Sequence, residues 1–236
     1  MILTLLFIPL VAAVAAWIVR KAPMIAALFS VAACFWVAYL AIVAQPSPPM
    51  VILGRALELG PRAAAQLSLC AVLLGVLFLG YSHSLRDELA WPLALGALAL
   101  WAATLMARSP TIAALLLTAG GIISAMLVPR LERETSEVAS RALTLIVIGS
   151  AALLAAAWSA ETQSSDQGDL VLSDTAALAL AFALAILLGQ FPFFVWLPPI
   201  YERASPLAAT MLGVGLSTTA LLRFGQIQLW ASPLTQ

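Results

Sequence analysis

The stretch "QFPFFVWLPPIYERASPLAATML", residues 190–212, decides how the chain is read. It sets Pro192, Pro198, Pro199 and Pro206 among Phe191, Phe193, Phe194, Trp196 and Tyr201, with Glu202 and Arg203 side by side. A helix facing lipid does not tolerate so many breaks, because each interior proline removes a backbone donor and crowds the preceding turn. A loop in water would not be so apolar. The solvent of the whole chain resolves the conflict.

Of the 236 residues, 63% are hydrophobic and 9% charged, against about 45–50% and 25% in soluble domains. So little polar surface cannot cover an aqueous fold, whereas in a bilayer each backbone amide is satisfied inside its own element. Runs of about 20 apolar residues without period-two alternation predict spanning helices and not barrel strands. The expected fold class is an all-α membrane protein of about eight transmembrane helices, at residues 2–19, 24–44, 66–82, 91–107, 111–128, 142–160, 175–194 and 205–224. The expected organisation is a single polytopic domain, with three N-terminal helices in 1–90, a five-helix unit in 91–224 and a short tail in 225–236.

The connections are well punctuated. "RKAP" separates the first two helices, "QPSPPMVILGRALELGPR" is a long Pro-rich connection after the second, and "RSP" makes a tight turn after the fourth. "RLERETSEVASR" is either an amphipathic connection on the membrane surface or a solvated loop. The first segment lacks a basic residue ahead of it and has Arg20 and Lys21 behind it, so it reads as a retained helix and not a signal peptide. Loops after odd-numbered helices carry Arg20, Lys21, Arg86, Arg130, Arg133, Arg141 and Arg203. The other side carries Arg55, Arg62, Arg108 and Arg223, and the loop with Glu161, Asp166 and Asp169. The basic excess places the odd-numbered loops in the cytoplasm and both termini outside. Trp17, Trp91, Trp158 and Trp196 fall near predicted helix ends, where an aromatic belt would sit. Cys34 and Cys70 read as small buried side chains and not as a disulfide or metal site. Zero net charge offers nothing to nucleic acid, and no cofactor, metal or nucleophile motif is present, so no catalytic chemistry is expected in this chain.

The stretch from Phe191 onward resembles the antiporter-like membrane subunits of respiratory complex I, the proton-translocating NADH–quinone oxidoreductase. Membrane-bound hydrogenases and Mrp-type cation/proton antiporters share the pattern. The matching residues are Phe191, Pro192, Phe193, Trp196, Leu197, Pro198, Tyr201, Glu202, Ala204, Pro206 and Ala209, then Leu221, Leu222 and Arg223. The resemblance implies a bundle whose seventh helix is broken by Pro192, with a re-entrant corner facing protein neighbours. Broken helices of this kind mark ion paths in transporters.

The family's ionisable path residues are replaced. Thr118, Leu187, Phe194 and Val214 stand where the resemblance places a glutamate, a lysine, a histidine and a second lysine. The chain has one lysine, Lys21, and one histidine, His83, both near predicted helix ends or in loops. Gln190, Ser217, Thr218, Thr219 and Arg223 are the polar residues left to line a residual path, or to satisfy backbone freed at the break. Family members also carry a second, inverted copy of the five-helix unit; this chain holds one.

These observations imply a degenerate, mainly scaffolding subunit of a complex-I-like redox or transport assembly. The alternatives are a subunit translocating protons or cations through a path shared with a partner chain, and an independent small-solute transporter. The expected partners are other membrane subunits and the lipid bilayer, the expected cofactor is none, and the expected location is a bacterial inner (cytoplasmic) membrane.

Overall fold

A computed structural model describes residues 2–43, 50–52, 55–81, 89–128, 133–163 and 173–230. His83, Arg86, Arg130, the acidic residues 166 and 169 and the last six residues lie outside them. The chain builds α1 (Ile2–Ile18), α2 (Pro23–Val43), a hairpin of β1 (Met50–Ile52) and β2 (Arg55–Leu57), then α3 (Pro61–Tyr81), α4 (Ala90–Met106) and α5 (Pro110–Ala125). There follow α6 (Arg133–Gln163), α7 (Asp174–Leu187), a 3₁₀ turn (Phe193–Trp196) and α8 (Leu197–Arg203). Last come α9 (Pro206–Ala209), a π segment (Thr210–Leu216) and α10 (Ser217–Trp230), which run on without a gap.

Four of these helical stretches, Met24–Val43, Pro61–Gly80, Glu137–Thr162 and Pro206–Gly225, are long and apolar enough to cross a membrane. Leu3–Ile18, Ala90–Met106, Pro110–Ala125 and Asp174–Leu187 are apolar but shorter. The molecule is an integral, helical membrane protein.

α4 is the axis of the bundle. Thirteen of its residues are buried, including Trp91, Trp101 and a ladder of small side chains at Ala94, Ala97, Ala99, Ala102 and Ala103. α1 and α5 pack along it, α2 and α3 pair beyond α1, and α6 and α7 pair beyond α5. The α9–α10 helix lies among α3, α4, α5 and α7. Alanine dominates the interior, while Phe7, Trp17, Met24, Leu28, Trp36 and Leu178 are more than half exposed. Lipid removes the hydrophobic penalty for large outward side chains, and small inward ones let helix backbones approach. Gly121 meets Ile146 and Leu216, and Gly149 meets Ile186, at 3.0–3.6 Å from the position a Cβ would take.

The structure corrects several expectations. The Pro-rich connection is not all coil: β1 and β2 pair antiparallel, Met50 with Leu57, Val51 with Ala56 and Ile52 with Arg55. The hairpin forms because the end of α4 needs partners. Glu58 N–H, just past β2, donates to Met106 O at 2.9 Å, a carbonyl the helix end leaves open, and Arg108 N–H donates to Ala56 O in β2 at 3.1 Å. α3 starts at Pro61, ahead of the predicted 66. α6 starts at Arg133, so most of the mixed-charge connection is the helix's own first turns, with an exposed Glu137–Arg141 ion pair at 2.5 Å. Its 31 residues span about 46 Å at about 1.5 Å per residue, well past a hydrocarbon core of about 30 Å.

Two of the four tryptophans expected in a belt turn inward. Trp17 and Trp158 are exposed, but Trp91 and Trp196 are 2% and 1% exposed. Trp91 packs on Phe78 with ring centroids 4.6 Å apart. Sequence position places a tryptophan along the helix axis but not around it, and these two rings turn inward. Cys34 and Cys70 are free and buried, as expected.

Candidate functional site

The broken-helix corner begins earlier than the prolines. Ser173 caps α7 by accepting from Ala176 N–H at 3.3 Å, and the helix runs only to Leu187. Gly189 then takes φ +60°. Gln190 N–H bonds Ala185 O at 2.8 Å and Gly189 N–H bonds Ile186 O at 3.0 Å, the paired bonds of a glycine-terminated helix. A Cβ at Gly189 would also overlap the Leu197 side chain. Glycine therefore ends the helix. This corrects the assignment of the break to Pro192, which lies beyond it in a cis bond to Phe191.

Past the break, Phe193 N–H bonds Gln190 O at 2.6 Å and starts the 3₁₀ turn. Phe193 meets Phe182 edge to face at 5.2 Å, while Phe191 and Phe194 stack on one another at 6.3 Å. Trp196 is fully buried, and its Nε1–H donates to Ile186 O at 3.0 Å. Pro198 and Pro199 fall in the first turn of α8, where a missing N–H costs nothing. Ser205 Oγ caps α9 through Ala208 N–H at 3.2 Å, with Pro206 opening the helix. The same serine-proline device opens α5 at Ser109 and Pro110. Glu202 and Arg203 are both exposed on α8.

Tyr201 closes the corner onto the π segment. Its hydroxyl occupies the space a Cβ would need at Gly213, and the ring of Trp101 does the same at Gly215. Trp101 Nε1 also lies 2.9 Å from the Cβ position of Gly120. Glycines thus seat two aromatic side chains against a helix that widens into a π turn, a feature that often accompanies functional regions.

The predicted polar path does not assemble. Ser217 Oγ donates to Leu187 O at 3.2 Å, supplying a partner to a carbonyl left open where α7 stops. Thr218 Oγ1 donates to Val214 O at 2.5 Å and accepts from Gln66 Nε2 on α3. Thr219 is fully buried, and its hydroxyl has no hydrogen-bond partner. Consecutive helix positions point about 100° apart, so these three residues address different neighbours and form no row. Gln190 is exposed at the outside of the corner. Arg223 is separate from all of them: its Nη2 donates to Ala107 O at 2.7 Å and Arg108 O at 2.8 Å, capping the end of α4.

Gln66 was missed by sequence reasoning. It is 9% exposed and bonds both Thr218 and Cys70, the latter at 3.3 Å to Sγ. The signal was available, an uncharged amide in an apolar run, but placing the helix start at Gln66 put it at a membrane surface.

The four positions that the resemblance singled out carry side chains that do not exchange a proton at physiological pH. Thr118 Oγ1 bonds back to Ala114 O at 2.7 Å, Leu187 is buried, Phe194 is half exposed, and Val214 borders a void of about 10 Å³ with Cys70 and Trp101. That void has room for one water at most. Among the described residues, no Asp, Glu, Lys or Arg is fully buried, and no cluster of three His, Cys, Asp or Glu side chains could hold a metal ion.

No protein-family model matches the chain, and no curated protein does. Among solved structures, the chain is similar to one from the structure of the membrane-bound sulfane sulfur reductase, an archaeal respiratory membrane complex. The TM-score is 0.80 at 21% identity, over 98% of this chain and 41% of that one, so the chain spans about two fifths of the length it matches. The likeness is one of fold, and its archaeal source lends no support to a bacterial inner membrane in particular.

Proposed function

We propose that the chain is a structural membrane subunit of a complex-I-like respiratory or ion-transporting assembly, supporting transport carried out by neighbouring subunits. One observation carries the reading: a fold shared over 98% of the chain with part of a chain from a respiratory membrane complex is combined with an interior in which, among the described residues, the buried polar side chains are all uncharged. A charge at the bilayer centre costs about 2.5–3.5 kcal/mol on insertion scales and is kept where it relays ions. Serine, threonine and glutamine do not exchange a proton at physiological pH. In this reading the four shorter apolar helices also cross the membrane, making eight spans. α4 to α7 and the α9–α10 helix form the five-helix unit, with the Gly189 corner inside it.

The test is association. Solubilised in mild detergent, the chain should co-purify with several other membrane subunits; recovery as a lone, stable monomer overturns the proposal. A second reading, a translocating subunit sharing its path with a partner chain, draws its support from Thr219, a buried hydroxyl without a partner. Replacing Thr219 by valine should then reduce ion uptake by the reconstituted assembly, and unchanged uptake removes that reading.

A further inference from the structure

A cavity of about 610 Å³ that the corner does not explain lies at the end of the bundle where α3 begins and α4 ends. Arg62, Arg108 and Arg223 line it, with Glu58 the one acidic residue among its described walls. Three guanidinium groups against one carboxylate leave a net charge of +2 there. We infer that this cavity binds a phosphate-bearing anion, of the kind carried by a phospholipid headgroup.

Three observations converge on that chemistry. Arg223 is held at the wall by its two bonds to the carbonyls of Ala107 and Arg108, so its guanidinium is pre-positioned, and its buried Nε has no protein partner. Arg62 and Arg108 are exposed and able to close over a ligand. The first turn of α3 also opens onto the cavity: Gly60, Pro61, Arg62 and Ala63 all line it. The N–H groups of Arg62 and Ala63 have no partner within the helix, and the positive end of a 21-residue helix dipole adds to the arginines. Arginine forks match the oxygens of a phosphate in pairs, which a lysine cannot do.

Size and depth favour a headgroup. The volume lies within the range of small-molecule sites, about 300–1,000 Å³, and exceeds what a bare phosphate fills. The apolar span Pro61–Gly80 starts at the cavity, which puts the arginines where hydrocarbon gives way to headgroups. Basic pockets between spanning helices hold anionic lipid headgroups by this geometry. The inference does not depend on the scaffold reading, since an anionic lipid could bind a transporting subunit equally well.

The experiment is native mass spectrometry on the full-length chain purified in detergent and stripped of lipid. It is titrated with phosphatidylglycerol and, as a chains-only probe, with diacylglycerol. Inorganic phosphate is tested in parallel by its effect on the melting temperature. The Arg62→Gln/Arg108→Gln double variant should bind phosphatidylglycerol at least tenfold more weakly, and Arg62→Lys/Arg108→Lys should recover part of the loss. Arg141→Gln, which removes a guanidinium at an exposed site on another helix, should leave binding as it was. Retention of the lipid without an effect of phosphate assigns the site to a headgroup. Protection by phosphate that disappears in the double variant assigns it to a soluble anion of the same chemistry. Undiminished phosphatidylglycerol binding in the double variant, or equal retention of diacylglycerol, overturns the inference.

Discussion

The indole N–H of Trp196 donates to the carbonyl of Ile186 at 3.0 Å, joining the far side of the break in α7 to its last full turn. Beside it, Ser217 reaches across from α10 to the carbonyl of Leu187. Trp196 thus adds a second donor to the Ile186 carbonyl, which already accepts from Gly189 N–H, and Ser217 gives the Leu187 carbonyl a partner, so the backbone oxygens at the bend are satisfied within an apolar interior.

Replacing Trp196 by phenylalanine keeps most of the buried area and deletes the bond. The expected loss is about 1–2 kcal/mol, whereas Trp196→Ala should lose about 3–5 kcal/mol because a cavity adds to it. Equilibrium unfolding in detergent checks both, and equal losses for the two variants would contradict the role given to the hydrogen bond.

Gly189→Ala meets two separate penalties. A left-handed backbone costs an L-residue about 1–2 kcal/mol, and the new Cβ overlaps Leu197. Pairing it with Leu197→Ala should remove the overlap and leave the backbone cost, so the double variant should couple non-additively in a thermal unfolding cycle.

Glycines at two places in the bundle should respond in opposite ways to alanine. Gly96 in α4 has nothing within 4 Å of its Cβ position, so Gly96→Ala should be neutral or stabilise by up to about 1 kcal/mol through helix propensity. Gly215 faces the Trp101 ring, so Gly215→Ala should lower the melting temperature by displacing the indole. Near-ultraviolet circular dichroism would record the tryptophan's change of environment.

Gln66, buried, and Thr218, half-buried, form a pair, which makes a cycle informative. Thr218→Val leaves the Gln66 amide with only the weak Cys70 thiol as acceptor and should cost about 1–3 kcal/mol, whereas Gln66→Leu leaves Thr218 bonded to Val214 O and should cost less; the double variant should lie closer to the parent than Thr218→Val does. If ion uptake by the reconstituted assembly survives the double variant, the pair is a strut between α3 and α10 and carries no proton.

Arg223→Gln removes charged donors from the carbonyls of Ala107 and Arg108. Hydrogen bonds from charged groups contribute about 1.5–3 kcal/mol, so a loss of that order is expected, with Arg223→Lys retaining part of it. Amide exchange at Glu58 and Arg108, which bond across the end of α4, should quicken in step.

Much of this is readable from composition and punctuation. The apolar runs locate the helices, and the serine-proline pairs at Ser109–Pro110 and Ser205–Pro206 mark helix starts in the structure. Prolines and aromatics reveal the corner, yet they point to Pro192 as its stop when Gly189 supplies it. A proline's effect is local and visible in the letters. A glycine's left-handed turn depends on where the chain must go next, which is set by Trp196 and Ser217 arriving from elsewhere.

Residue chemistry alone required a bilayer solvent and excluded lysine from every span but the ends, since one lysine exists in the chain. Those conclusions need no geometry, because hydration costs follow from side-chain type. Which polar groups meet was decided in three dimensions. Ser217, Thr218 and Thr219 are adjacent in the chain and face separate partners, while Arg62, Arg108 and Arg223 are far apart in it and share one cavity. Helical rotation separates neighbours and packing gathers strangers, so the places where charge accumulates on this molecule belong to its tertiary structure.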